Sequence, residues 1–241
     1  MWFVAIEEAG TWAPPEGRSH GVTAFHELCG RVESHYGHGN AFRGEKEEAA
    51  KRVREPGPTV TGTVRPARYA LVEARICLPL SSDAPSLGAI GYAAELALDW
   101  RRVAHANLYP LGKPDVSSWP SVYERLFGFA ASDRPRYQAE VRRLRFPRFR
   151  EALERFRPQA IVCFGKSYRS DFISALELRE TGDVLSGPAW ALETFSFSDP
   201  AAQRTAVLAP HWASRSPNMR LTRDCESAIT AELAKASVRL P

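Results

Sequence analysis

From Arg68 onward, short apolar runs alternate with segments of helical spacing, and this alternation restricts the fold more than any other feature of the 241 residues. Residues 69–80 (YALVEARICLPL), 104–109, 160–164 (AIVCF) and 206–209 read as strands, each a brief apolar run bounded by polar or helix-breaking residues. Residues 87–103, 120–129, 137–156, 168–178 and 222–236 read as helices, with Ser118, Ser121 and Thr222 as candidate caps. Pro147 falls inside 137–156 and predicts a kink or a split there. Strands separated by helices pair in parallel through right-handed crossovers. The expectation is an α/β fold: a three-layer α/β/α sandwich around a parallel sheet of about four strands. Its ligand crevice belongs beyond the carboxyl ends of those strands.

Residues 1–66 do not share the pattern. Gly, Pro, His and charged residues dominate 10–40, with a short amphipathic helix expected over 23–36 and a second over 45–53, closed by Pro56-Gly57-Pro58. The chain therefore divides into a helical or irregular N-terminal extension (1–66) packed on a core domain (67–241). His20, His26, Cys29, His35 and His38 gather in the extension, but their spacing matches no metal-ligand motif, and no metal is expected.

Composition excludes several classes. There is no apolar run of 18 residues, so no membrane span is expected. The start, MWFVAIEEAG, carries acids where a secretory signal needs basic residues, which points to the cytoplasm. The four cysteines (Cys29, Cys77, Cys163, Cys225) form no C-x-x-C pair. Net charge is only +4, yet residues 134–169 hold eleven Lys/Arg against three acids. Such a local excess suits either a phosphate-facing surface or a solvated basic helix.

The residues at the expected strand ends carry the chemistry. Ser81-Ser82-Asp83-Ala84-Pro85-Ser86 follows the first, and Asn107 with Leu108-Tyr109-Pro110 closes the second. Gly165-Lys166-Ser167 follows the third. His211 stands after the fourth, which Pro210 stops, and leads into the polar loop Ser214-Arg215-Ser216-Pro217-Asn218. An acid, a carboxamide, a glycine with a lysine, and a histidine would thus share one edge. Each also has a plain reading: Asp83 as a turn residue, Asn107 as a turn residue before Pro110, Lys166 as a solvated lysine, His211 as a loop residue.

Taken in order, these stretches resemble the uracil-DNA glycosylase superfamily. Ser82-Asp83-Ala84-Pro85-Ser86 is similar to the family's Gly-Glu-Ala-Pro-Gly water-activating loop, and His105-Ala106-Asn107-Leu108 to its strand ending in a base-reading asparagine. Residues 160–166 are similar to its apolar strand closed by Gly-Lys, and Pro210-His211-Trp212-Ala213-Ser214 to its His-Pro-Ser loop. The resemblance spans about residues 70–220. It implies a uracil-DNA glycosylase-like fold and a monomeric, cofactor-free enzyme that flips a nucleotide out of DNA and hydrolyses its glycosidic bond.

In that scheme Asn107 reads the pyrimidine edge, His211 donates to charge developing on the leaving base, and Asp83 positions water. Ser82, Pro85, Ile90, Tyr92 and Tyr109 would line the base pocket. Gly165, Lys166, Ser167, Ser214, Arg215, Ser216 and Arg220 would hold DNA, with Arg215 or Met219 filling the vacated stack. The sequence departs from the family in two places. Serines replace the first loop's glycines, and residues 87–92 hold no phenylalanine. Small residues in that wall suggest a roomier pocket, suited to a hydroxymethylated or glucosylated cytosine of phage DNA. The alternatives are a uracil-excising repair enzyme and a catalytically inactive DNA-binding protein of the same fold. A hydrolase of free nucleosides is a further rival. A phosphate-loop nucleotidase is disfavoured because its glycine position is Ala160.

Overall fold

The computed structural model describes residues 1–6, 68–81, 103–109, 133–197, 204–211, 214 and 220–240. Ten regular elements follow in order: β1 (Trp2–Ala5), α1 (Arg68–Cys77), β2 (Ala104–Asn107), α2 (Arg134–Phe156), β3 (Ala160–Phe164), α3 (Arg169–Leu176), β4 (Leu178–Gly187), β5 (Trp190–Phe197), β6 (Thr205–Ala209) and α4 (Arg223–Lys235). They form one six-stranded sheet in the order β2-β1-β3-β6-β5-β4. The first four strands in that order are mutually parallel, and β5 and β4 continue the sheet antiparallel. The α/β class is as expected, but the sheet is mixed and wider than four strands.

Both faces of the sheet are covered. Phe3, Ala5, Val162, Phe164, Val207 and Ala209 pack on one side with Val72 and Ile76 of α1 and Ile229 and Leu233 of α4. Val4, Ile161, Cys163, Ala206 and Leu208 pack on the other with Val141 and Phe149 of α2 and Phe172 and Leu176 of α3. Two-sided burial explains why β3 is an unbroken apolar run, all five residues buried, instead of an alternating one.

The run at 69–80 is a helix, not the first strand. Tyr69, Val72, Glu73, Ile76, Cys77 and Leu80 recur at helical spacing, with Val72, Glu73, Ile76, Cys77 and Leu80 buried. A helix enclosed on nearly all sides lacks the polar stripe that normally betrays it. The strand that takes its place is β1, so the first residues of the chain are internal to the sheet and not part of an extension packed outside it. The boundary expected at residue 66 is corrected accordingly; the helices expected at 23–36 and 45–53 lie outside the described residues.

α2 runs unbroken through Pro147, against the expected kink or split. The proline is exposed, so the carbonyl that loses its partner faces water and the helix loses little there. Thr222 caps α4 as expected, its hydroxyl accepting from the Cys225 amide at 3.2 Å.

Candidate functional site

In the parallel part of the sheet β1 has β2 on one side and β3 on the other, so the strand order reverses at β1, and open α/β sheets bind ligands beyond the carboxyl ends at such a point. Ala5 pairs in register with Asn107 and with Phe164, and Phe164 with Ala209. Asn107, Ala5, Phe164 and Ala209 therefore form one row across four strands. In-register neighbours share a face, and Ala5, Phe164 and Ala209 face α1 and α4, so Asn107 does too. Pro210 and His211 follow Ala209 directly, at the same carboxyl edge of the sheet. The row spans about 14 Å between β2 and β6, at about 4.8 Å per strand. Between Asn107 and Ala209 that row is occupied by the fully buried Ala5 and Phe164.

Asn107 is 3 % exposed, and among the described residues its carboxamide has no hydrogen-bond partner. A buried carboxamide normally has partners, because an unpaired one costs about 1–3 kcal/mol. Its backbone is held firmly: Arg145 donates to the Asn107 carbonyl from Nη2 at 2.9 Å and from Nε at 3.3 Å. The next two residues bond back to β1, Leu108 to the Ala5 carbonyl and Tyr109 to the Ile6 carbonyl, each at 2.8 Å. The strand end is thus held from α2 and from β1.

Gly165 is a glycine for a local reason. Its φ is +126°, and a Cβ there would stand 2.0 Å from Cδ1 of Ile6. Its amide donates to the Ala209 carbonyl at 2.9 Å, so it ties β3 to β6 and is not available for a phosphate. Lys166 reaches Glu193 on β5 at 3.1 Å, both side chains 15 % exposed, and Arg169 donates to the same carboxylate from Nε. The lysine expected on DNA is therefore paired. Ser167 is exposed.

Burial pushes the Glu193 carboxyl up, but hydrogen bonds from Arg169 and Lys166 outweigh it and hold the group below the usual carboxylate range. A depressed acid stabilises the fold fully above its unfolded value, about 4.3, and that contribution is lost as pH falls through the lower folded value. Glu193→Gln is expected to cost about 2 kcal/mol at pH 7, with two cations left short of a partner. The gap from wild type should shrink by pH 3, read by urea unfolding at pH 7, 5 and 3; an unchanged gap would refute the assignment.

Tyr109 does not face Asn107's side of the sheet. It is fully buried among α2 and α3, edge-on to Tyr168, with its hydroxyl donating to Asp171 at 2.6 Å. Burial, then the Asp171 carboxylate, drives that hydroxyl far above its ordinary value. Its expected place in a base pocket is corrected: it holds the strand end from behind.

Asp83, Ser82, Pro85, Ile90, Tyr92, Arg215, Ser216 and Met219 lie outside the described residues. The approach to Asp83 is described, however. Burial lowers the pKa of the Met1 ammonium at the start of β1, and the Cys77 thiol at the end of α1 is close enough to oppose that. The Leu80 carbonyl accepts from the Leu240 amide at 2.9 Å, beyond the carboxyl end of α4. Ser81 therefore stands at the amino-terminal edge of the sheet, opposite Asn107 and Gly165. The loop begins after a helix at the wrong edge, which removes the premise that put Asp83 beside them. The acids that follow the true first strand are Glu7 and Glu8, directly after Ile6 in sequence. The signal for them was the six-residue apolar run at the start of the chain, residues 1–6.

Of the remaining DNA candidates, Ser214 is half-buried, its amide donating to the His211 carbonyl at 2.9 Å, and Arg220 is exposed. Among the described residues no group of His, Cys, Asp and Glu is placed to hold a metal, and no helix is long and apolar enough to cross a membrane. Neither a protein-family model, nor a curated protein, nor a solved structure matches this chain.

Proposed function

We propose that the chain is a monofunctional DNA glycosylase that extrudes a modified pyrimidine, a hydroxymethylated or glucosylated cytosine of phage DNA, and hydrolyses its glycosidic bond. The observation that carries this reading is the buried Asn107 carboxamide at the carboxyl end of β2, in one row with the strand that delivers His211. A carboxamide offers a donor and an acceptor to a Watson–Crick edge, and an imidazole donates to charge developing on the departing base. The acid that orients water passes from Asp83 to the pair after β1, Glu7 and Glu8. The protein works as a cytoplasmic monomer without a cofactor.

The test incubates the protein with plain, uracil-containing and modified phage DNA and counts abasic sites. Release from modified DNA is expected; release of uracil alone would leave only the repair reading. Asn107→Ala and His211→Ala are each expected to lower the rate by about 10²–10³-fold, the usual loss for one donor aimed at developing charge. DNA affinity should change little. Glu7→Gln or Glu8→Gln should cost turnover where Asp83→Asn does not.

One observation favours a second reading. Because Ser81 stands at the amino-terminal edge, the family's acidic loop has no described counterpart at the site, as in a protein of this fold that binds DNA without chemistry. That reading predicts unchanged DNA binding and no abasic sites with any substrate.

A further inference from the structure

The β4–β5 hairpin was not visible in the strand pattern, and it reaches the same edge as the site. β5 runs antiparallel to β6, with Glu193 opposite Leu208 and Ser196 opposite Thr205. Continuing that register sets Trp190 level with His211. Residues 187–190 (Gly-Pro-Ala-Trp) close the hairpin, with Gly187 paired to Trp190. The Trp190 ring lies over Gly187, where a Cβ would come 2.5 Å from Nε1, and that indole nitrogen is buried without a partner. The tip is also fixed to the loop after β6, since the Arg220 amide donates to the Ala189 carbonyl at 2.9 Å.

The tip therefore combines two chemistries. Pro188 is exposed and apolar. Next to it in the fold is the exposed Arg220, whose amide bonds to Ala189; Arg223, three residues on, is 72 % exposed and pairs with Glu226 at 3.6 Å. Proteins that kink a duplex insert an apolar wedge, proline among those used, between base steps while cations hold the flanking phosphates. The hairpin stem does not offer this, because its exposed outer strand carries Arg179, Glu180 and Asp183 of mixed sign.

We propose that the β4–β5 tip, led by Pro188 with Arg220 fixed to it, is a second duplex-DNA contact that presses on the bases next to the nucleotide held at Asn107 and His211. The proposal rests on the glycosylase reading and adds the element that opens the helix. A tip fixed to the His211 loop moves with the site, so the bend it imposes is set at one distance from the flipped nucleotide.

The test places a photoreactive benzoyl-phenylalanine at Pro188 or at Val184, a 61 % exposed position on the stem. Each full-length protein is irradiated with a 30-base-pair duplex, and duplex affinity is measured for the unmodified protein. Cross-linking from 188 and not from 184 is expected. Pro188→Glu should weaken duplex binding about tenfold and Val184→Glu less than twofold, with thermal melting as the check that each variant folds. If the unmodified protein binds duplex but 188 cross-links no more than 184, the tip proposal is overturned and the glycosylase reading stands. If the unmodified protein binds no duplex, both fall.

Discussion

Gly165→Ala is expected to destabilise the protein by about 2–6 kcal/mol, with about 1–3 from forcing a methyl into a filled space and about 1–3 from backbone strain. The methyl would fall 2.0 Å from Cδ1 and 2.3 Å from Cγ1 of Ile6, a side chain only 3 % exposed that must shift to admit it. A φ of +126° adds strain for any L side chain. Against a total stability of about 5–15 kcal/mol, a loss of that size removes a large share. The damage falls at the site, because Gly165 and Ile6 close the ends of β3 and β1 where the strand order reverses. A double-mutant cycle with Ile6→Ala separates the two causes. The double variant should lose at least about 1 kcal/mol less than the sum of the singles, since truncating Ile6 removes the clash and leaves the backbone strain. Urea unfolding measures all three; strict additivity would show that the clash is not the cause.

Asp171→Ala is expected to cost about 2–4 kcal/mol. The carboxylate accepts from Tyr109 at 2.6 Å and from Arg142 Nε at 2.7 Å and Nη2 at 3.2 Å, so one group ties the end of β2 to α2 and to the first turn of α3. Removing it leaves the buried Tyr109 O–H without its acceptor, at about 1–3 kcal/mol, and dissolves a charge-assisted fork. Arg142 is 43 % exposed and can turn to water, which keeps the loss below that of a fully enclosed pair. Tyr109→Phe should cost only about 1 kcal/mol, because Asp171 retains Arg142. If Tyr109→Phe proves as costly as Asp171→Ala, the hydroxyl and not the carboxylate is the anchor. Asp171→Ala should also raise hydrogen exchange at the Leu108 and Tyr109 amides, which bond to β1 behind Asn107.

Much of the architecture was legible where local and global demands agreed. β3 was read to the residue, β6 to within one, and the α4 cap outright, because a buried apolar run with a stop and a threonine before a helix each have one reading. Asn107 at the end of β2 and Pro210 before His211 were legible for the same reason. The errors came where burial on all sides erased the period. α1 looked like a strand because it is enclosed, and β5 hid because both of its faces are apolar, Leu192 on one and Phe195 and Phe197 on the other. β4 hid for the opposite reason: its outer run is exposed, and a bulge between Glu180 and Val184, with Gly182 at φ +81°, breaks its alternation. β1 had a signal, the apolar run of residues 1–6, but it stands apart from the regular alternation that begins at Arg68.

Residue type and spacing were enough to specify the α/β class, three of the four parallel strands and the residues standing at three strand ends. They could not say which strand is central, because neighbours in a sheet are chosen by contacts between segments a hundred residues apart. That choice put Trp2–Ala5 between β2 and β3, turned Tyr109 toward Asp171, paired Lys166 with Glu193 and sent Ser81 to the amino-terminal edge. Pairing across the sheet sets which edge a loop leaves from, and no local pattern carries that information.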